Sequence, residues 1–350
     1  MKILFFTTGL GKGGTETQLY NLLKELKKDK KYQIKLISMV GGSQEDAFRK
    51  LNILVEVSSA KTPFGHILFY MSQVKQFRPN IVHTCLFHAN IISKFSCFLQ
   101  KKKYKLICSY RGLIKTYPII NFLEKWNKNK PDLLLANSQQ ALDQLTFYKR
   151  KPKTQVINNG FVPKAVTKTN IAAIQKQYGQ NIVLTVARLH QDKDFDTNIA
   201  VAKAIHKKHP DAVFLYAGDG PLQTEIQSKT KTLPFIKVLG RREDVADLYN
   251  AAKVFFMPTL SESQSNSLIE AMFYKVPIVT TDIPENRIVP HAAFCKKRNQ
   301  QQMIQAIDTL LKKQNKVHSS NNYKHAKEIF SLQAMIQAYK KTYEDLYVRN

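Results

Sequence analysis

Two glutamates, Glu262 and Glu270, stand in a Glu-x7-Glu frame within the segment SESQSNSLIEAM. Small polar residues separate them, in a chain whose net charge is +28. The surrounding pattern VFFMP, TLSESQSN, SLIEAMF reads as a strand, a polar loop and the first turns of a helix. That places Glu262 in the loop and Glu270 in the helix, where both can border one pocket. At the start of such a helix the amides near Ser267 and Leu268 are free to hold a phosphate. Carboxylates beside a phosphate are repelled by it, so their natural partners are the neutral hydroxyl groups of a sugar or ribose.

Two cations complement them. In VARLHQDKDFDT, Arg188 closes a strand and Lys193 lies in the loop beyond it. A planar guanidinium fork and an ammonium point charge together suit a diphosphate, although an isolated Arg/Lys pair is more often two solvated surface cations. A glycine-rich loop, GLGKGGTETQ, opens a helix with Gly13 and Gly14. Backbone of this kind approaches a phosphate closely and aims amides at it, but the spacing matches neither a dinucleotide fingerprint nor a Walker loop. YAGDGPL, at the end of another strand, reads as an ordinary strand-to-helix turn.

The elements that position these residues alternate along the chain. Expected strands are KILFFTT, YQIKLISM, NIVHTC, KLICSY and DLLLANS in the first half. In the second half they are NIVLTVA, AVFLYAG, IKVLG, VFFMP and PIVTT, and amphipathic helices intervene throughout. Two doubly wound α/β domains follow, joined near VINNGFVPK, and ligands of such sheets bind outside the carboxyl ends of the strands. Facing one another, two such domains would form a cleft between those ends.

The 350 residues are 43% hydrophobic and 23% charged, which excludes disordered and collagen-like classes. The longest apolar runs fall short of the roughly 20 residues of a spanning helix, and MKILFFTTGLGKGG reads as a first buried strand rather than a leader. Cys85, Cys97, Cys108 and Cys295 lack metal-type spacing and read as free thiols.

With these motifs in order, the sequence resembles glycosyltransferase family 4, retaining sugar transferases of the GT-B fold. The family frame PS-x-x-E-G-F-G-L-x-x-x-E-A-M-x-x-G-x-P-V-V-A-T is matched by PTLSESQSNSLIEAMFYKVPIVTT. GKGGTETQLYNLL, RPNIVHTCLFHAN, LLLANSQQ, VINNGF, VARLHQDKDF, YAGDGPL and VLGRREDVADLYNAA follow the family's order. The resemblance implies an acceptor-binding domain over 1–160, a nucleotide-sugar-binding domain over 161–330, and a terminal helix over 331–350 crossing back to the first.

By position it also implies roles. Gly13 and Gly14 would lie near the donor phosphates, and Arg188 and Lys193 would neutralise the departing diphosphate in place of a metal. Glu270 would hold the ribose and Glu262 the transferred sugar. Gly240 and Arg241 would border the base, and Ser267 and Leu268 would supply amides. Catalysis would thus rest on Glu262, Arg188 and Lys193, without cofactor, on a nucleotide diphosphate sugar whose base is uridine by family frequency.

Departures from the family pattern stand out. Ser263, Gln264 and Ser265 replace Gly-Phe-Gly, and Lys275 replaces a glycine. The segment after ENRIV lacks the common Asp-Gly-x-x-G turn. Arg111 stands about where many members carry an acceptor-side histidine, leaving His83, His88 and Arg111 as acceptor-side alternatives. Lysine clusters in KELKKDKKYQIK and LQKKKYK, and the mixed apolar and basic run around Trp126, suit an anionic membrane surface. The expected acceptor is a lipid-linked saccharide or polysaccharide precursor, met at the cytoplasmic face of the membrane. A GT-B epimerase or phosphorylase, or a basic nucleic-acid binder, are the alternatives; no nucleic-acid recognition module is present to favour the last.

Overall fold

The computed structural model describes residues 1–111, 130–143, 145, 153–262, 264–313 and 316–348. The amphipathic segment holding Trp126, and Ser263, lie outside these. The chain forms two units, Met1–Gly160 with Leu332–Asn350, and Phe161–Ser331.

In the first unit the described strands are β1 (Lys2–Thr7), β2 (Gln33–Ser38), β3 (Leu54–Val57), β4 (Ile81–Cys85), β5 (Lys105–Tyr110), β6 (Leu133–Ala136) and β7 (Lys153–Val156). They form one parallel sheet in the order β3-β2-β1-β4-β5-β6-β7. Successive side chains of β1 point to opposite faces, and both faces are covered, which is why KILFFT is apolar almost throughout. Ile3 and Phe5 pack with Leu19, Leu22 and Leu23 of helix Gly14–Leu26, and with Tyr339 and Tyr343 of helix Leu332–Val348. Leu4 and Phe6 pack with Tyr70 and Val74 of helix Pro63–Phe77, and with Ile92 of helix Phe87–Leu99. The chain leaves this unit at Gly160, whose N–H donates to Gln18 Oε1 at 2.9 Å while its carbonyl accepts from Gln18 Nε2 at 3.1 Å.

His83 is buried beneath the returning helix, its Nδ1 bonded to the Tyr343 hydroxyl at 2.8 Å and its Nε2 to Ser109 Oγ at 2.6 Å. Burial pushes its pKa down to about 3, and the charge of Arg111 adds to the effect. Only the unfolded chain then takes up a proton as the pH falls below about 6.5, so the stability held by the neutral ring above that pH is lost on the way down to the folded value. Between pH 7 and 5 the unfolding free energy should fall by about 2 kcal/mol more in the wild type than in His83→Gln. Urea denaturation at the two pH values measures this, and equal slopes would refute it.

In the second unit the described strands are β8 (Asn181–Val186), β9 (Ala212–Ala217), β10 (Ile236–Gly240), β11 (Val254–Met257), β12 (Ile278–Thr281) and β13 (Ala293–Cys295). They form a parallel sheet in the order β10-β9-β8-β11-β12-β13. Ile182 and Leu184 pack with Leu248 and Leu268 on one face. Val183 packs with Ile199, Ile205, Met303 and Ile307 on the other.

Helix Asn266–Phe273 ends in a Schellman turn, with Val276 N–H donating to Ala271 O at 3.0 Å and Lys275 N–H to Met272 O at 3.1 Å. Lys275 therefore holds a left-handed conformation, φ 56°, at the position where glycine is the usual residue. For a residue with a Cβ this costs on the order of 1 kcal/mol.

Cys85, Cys97 and Cys295 carry free thiols, and burial pushes Cys85 up to about 11, the range of an inert thiol. Among the described residues no helix is long and apolar enough to cross a membrane.

Candidate active site

Each sheet reverses its direction of winding once, between β1 and β4 and between β8 and β11. In open parallel sheets, ligands bind outside the carboxyl ends of the strands at such a point. In the second unit this place is a cavity of about 400 Å³. Arg188 lines it from the end of β8, Gly218 and Asp219 from the end of β9, and Lys193, Glu262, Ser267 and Glu270 complete it.

A buried polar network fixes the strands beneath. Thr185 Oγ1 donates to Phe256 O at 2.7 Å, Asn198 Nδ2 donates to Thr185 Oγ1 at 2.9 Å, and the Tyr216 hydroxyl donates to Asn198 Oδ1 at 2.9 Å. These bonds tie β8, β9, β11 and helix Phe195–Lys208 together below the cavity floor. Above them, Ala187 N–H donates to Ala217 O at 3.1 Å and Leu189 N–H to Asp219 O at 2.8 Å. The two strand ends lie so close that a Cβ on Gly218, whose φ is 141°, would overlap the Ala187 carbonyl oxygen.

The Lys193 loop is tied in turn to the segment after β11. Leu260 N–H and the Thr259 hydroxyl both donate to Asp192 O, at 2.7 and 2.9 Å. This brings the Lys193 ammonium against Glu262 Oε1 and within 3.1 Å of Asp192 Oδ2. The Lys193 and Glu262 side chains are only 12% and 11% exposed, so the pair is poorly screened. Burial holds the Glu262 carboxyl above its ordinary value, and Lys193 offsets only part of that. Asp192 lies below its ordinary value: burial raises it, but the Lys193 charge and the bonds to His190 and Lys193 outweigh this.

Ser265 caps helix Asn266–Phe273. Here the structure corrects one expectation: the Leu268 amide is not free, since it donates to Ser265 Oγ at 3.4 Å, and Leu268 is buried in the core. Ser267 does line the cavity. Burial pushes Glu270 up to about 7 against the opposing effects of Tyr249 and Lys164. The Tyr249 hydroxyl donates to Ser267 O at 3.0 Å, and the Tyr274 hydroxyl accepts from Lys164 N–H at 3.0 Å, so both tyrosines brace the helix that carries Glu270.

The structure thus gathers Arg188, Lys193, Glu262, Ser267 and Glu270. Gly240, with φ 66°, and the exposed Arg241 end β10 and are not among the residues lining the cavity. Sequence reasoning missed Asp192, Tyr249 and Lys164, and took Gly218 and Asp219 for a plain turn. A strand end with two glycines was the available signal for the last two.

In the first unit, Gly13 caps helix Gly14–Leu26 beyond the carboxyl end of β1. A Cβ there would meet only the flexible Glu16 carboxylate, and one on Gly14 would meet nothing within 4 Å, so packing demands neither glycine. Leu86, just after β4, has φ 74° and ψ 160°, a strained backbone for a residue with a side chain, and the exposed His88 follows it. Arg111, beyond β5, donates to Asn159 Oδ1 at 3.0 Å and to the Tyr339 hydroxyl at 2.9 Å. His83, with both ring nitrogens bonded in the core, is a packing residue.

Among known proteins, the family described as Glycosyltransferase Family 4 matches residues 12–164, and Glycosyl transferases group 1 matches residues 180–313. The chain is 27% identical over 288 residues to a Campylobacter jejuni relative, covering 79% of this chain and 78% of that one. That protein is named GalNAc-alpha-(1->4)-GalNAc-alpha-(1->3)-diNAcBac-PP-undecaprenol alpha-1,4-N-acetyl-D-galactosaminyltransferase. An uncharacterized glycosyltransferase of Haemophilus influenzae is 24% identical, over 89% of this chain and 90% of its own. The crystal structure of Anabaena HepE in complex with UDP superposes with a TM-score of 0.84 at 18% identity, covering 99% of this chain and 100% of that one. With two parallel-sheet α/β units and both family matches in sequence order, the chain belongs to the family 4 type of glycosyltransferases, enzymes of the GT-B fold.

Proposed function

We propose that this enzyme transfers a sugar from a UDP-sugar to a hydroxyl of a lipid-linked saccharide or surface-polysaccharide precursor, with retention at the anomeric carbon. The observation that carries this reading is the convergence of Arg188, Lys193, Glu262 and Glu270 on one cavity at the carboxyl ends of β8 and β9. Arg188 and Lys193 are the cations for the diphosphate, Glu270 the acceptor for ribose hydroxyls, and Glu262 the acceptor for hydroxyls of the transferred sugar. The Ser267 region borders the phosphates. Gly240 and Arg241 border the base. The UDP complex of the Anabaena neighbour and the undecaprenol-linked acceptor in the Campylobacter relative's name support the same choice of donor and acceptor class.

In this reading the bond between the anomeric carbon and the diphosphate oxygen breaks as the acceptor oxygen adds from the same face. The acceptor proton passes to the leaving phosphate. Arg188 and Lys193 stabilise the charge that develops there, aimed in advance at the place where it appears. With two cations in that role, the reaction should run at an unchanged rate in EDTA. His88 and Arg111 are the acceptor-side candidates of the first unit.

Exposed Phe98 and Leu99 end helix Phe87–Leu99 beside Lys101, Lys102 and Lys103. This apolar and basic edge suits an anionic membrane on its cytoplasmic side. Vesicle flotation with no preference for anionic over neutral lipid would sink that part.

The test of the function is incubation with a panel of nucleotide sugars and a polyprenyl-diphosphate-linked saccharide, with NMR of the product linkage. An α-linked product from an α-linked donor is expected. Turnover of the donor without acceptor, or an inverted product, would contradict it. The ionisation of Glu270 makes a further prediction. A carboxylate accepts hydroxyl protons better than a carboxylic acid, so UDP-glucose affinity should rise up to about tenfold from pH 6 to 8. Calorimetry on wild type and Glu270→Gln checks this: the variant should bind weakly with a flat pH profile.

A further inference from the structure

The first unit keeps an unsatisfied polar group at the carboxyl ends of its strands. Asn137 follows β6 directly and is only 7% exposed, yet its Oδ1 has no hydrogen-bond partner among the described residues. It does not cap the helix that follows. Ser138 does that, its Oγ accepting the Ala141 N–H at 3.2 Å. A buried amide oxygen without a donor costs stability, so the donor it lacks is expected from a bound molecule.

Arg111 stands beside it. Strands β5 and β6 pair with Tyr110 opposite Ala136, so the next residue of each, Arg111 and Asn137, leaves the sheet at the same level. The alternation of the strands places both on one face. Ile107, Leu133 and Leu135 pack in the cluster that holds Tyr339 and Tyr343, and Ser109 bonds the His83 ring that Tyr343 also bonds. Carried on, the same alternation brings Arg111 and Asn137 to that face, and Arg111 donates there to the Tyr339 hydroxyl at 2.9 Å. Its other bond goes to Asn159 Oδ1 at 3.0 Å, so two neutral groups hold the guanidinium in place. Among the described residues no carboxylate forms an ion pair with it; Glu16 does not, although the charges of Glu16 and Arg111 both reach Cys85.

We propose that Arg111 and Asn137 form the part of the acceptor-saccharide site that recognises an oxoanion, Arg111 holding the anionic oxygens and Asn137 Oδ1 accepting a hydroxyl proton beside them. This role rests on the transferase reading, and it makes Asn137 a residue that selects the saccharide. The oxoanion is either a carboxylate on an acidic sugar or a phosphoryl group joined to the saccharide. A guanidinium offers its planar fork to either, more strongly than a neutral donor would. Held beforehand by Asn159 and Tyr339, it loses little freedom when the anion arrives. The amide adds discrimination: a ligand without the neighbouring hydroxyl leaves Oδ1 as unpaired as before, and a site built for a hydroxyl rejects such an analogue.

Calorimetry of the full chain, with saturating UDP present, tests this with glucuronic acid, inorganic phosphate and glucose as probes. Glucuronate bound about tenfold or more tightly than glucose, and weakened about tenfold in Arg111→Gln and in Asn137→Ala, would place the anion on the sugar. Phosphate binding weakened by the same two variants would place it on a phosphoryl group. Asn137→Ala should keep the urea midpoint of the wild type, because it removes an oxygen that has no partner to lose. A lowered midpoint would give the amide a structural role and overturn the proposal. So would anions bound no better than glucose, binding that both variants leave unchanged, or binding lost in Arg188→Ala, whose side chain lines the donor cavity. UDP affinity, measured on the same samples, separates the two readings. If UDP binds and the anions do not, the oxoanion site fails and the transferase reading stands; anions bound without UDP would mean the reverse.

Discussion

Replacing Lys193 by alanine is expected to lower kcat by about two to three orders of magnitude, the usual effect of removing one preorganised group that stabilises developing charge. The ammonium is already in place, held by Glu262 and Asp192. When a diphosphate enters, Lys193 can exchange a carboxylate for a phosphate without leaving its loop, and the same exchange frees Glu262 for the sugar. Stability should fall as well, by about 3 kcal/mol, because Glu262 is only 11% exposed and loses its partner charge. Steady-state kinetics beside urea denaturation separates the two effects. A rise in KM with kcat unchanged would assign Lys193 to uniform substrate binding and refute its part in the chemical step.

Gly218→Ala is expected to be the most damaging small substitution in the second unit. The added methyl would overlap the Ala187 carbonyl oxygen and stand 2.9 Å from its carbon, with φ already at 141°. To admit it, the ends of β8 and β9 must part, breaking the Ala187 to Ala217 and Leu189 to Asp219 bonds that shape the cavity. A loss of about 3 kcal/mol or more, with nucleotide binding abolished, is the expected result. Gly179→Ala is the control: its φ is 88°, but the nearest atom to a new Cβ is Asp211 O at 3.7 Å. It should cost about 1 kcal/mol and leave nucleotide binding intact. Equal effects from the two would mean that the close approach at Gly218 has no special importance.

The strands that the sequence announced most plainly are buried on both faces, such as β1 with KILFFT and β11 with VFFM, where the core writes a continuous apolar run; β10, with IKVLG, was announced although it lies at an edge. The strands it hid, β3, β7 and β13, all lie at sheet edges. LVEV and KTQV are half-exposed and AFC spans three residues, so none carries enough buried surface to set a pattern. The acids and cations of the site were legible because each follows a strong strand and has a type suited to phosphate or hydroxyl groups. Tyr249 and Lys164 were not, because they lie at positions distant in sequence from Glu270 and only folding brings them to it. His83 shows the converse: a histidine that sequence alone could place at the acceptor is fully engaged by Tyr343 and Ser109 in the core. Lys275 was visible as a departure from the family's glycine, but that it holds a left-handed turn is a property of the backbone.

The most direct test of the transferase reading is a thermal-shift screen of the full chain against UDP, GDP, ADP and their sugar conjugates, with Glu270→Ala alongside. Stabilisation by UDP and a UDP-sugar that disappears in the variant is the predicted result. No shift with any nucleotide in a folded sample, or a shift that survives Glu270→Ala unchanged, would contradict the assignment of this cavity to the donor.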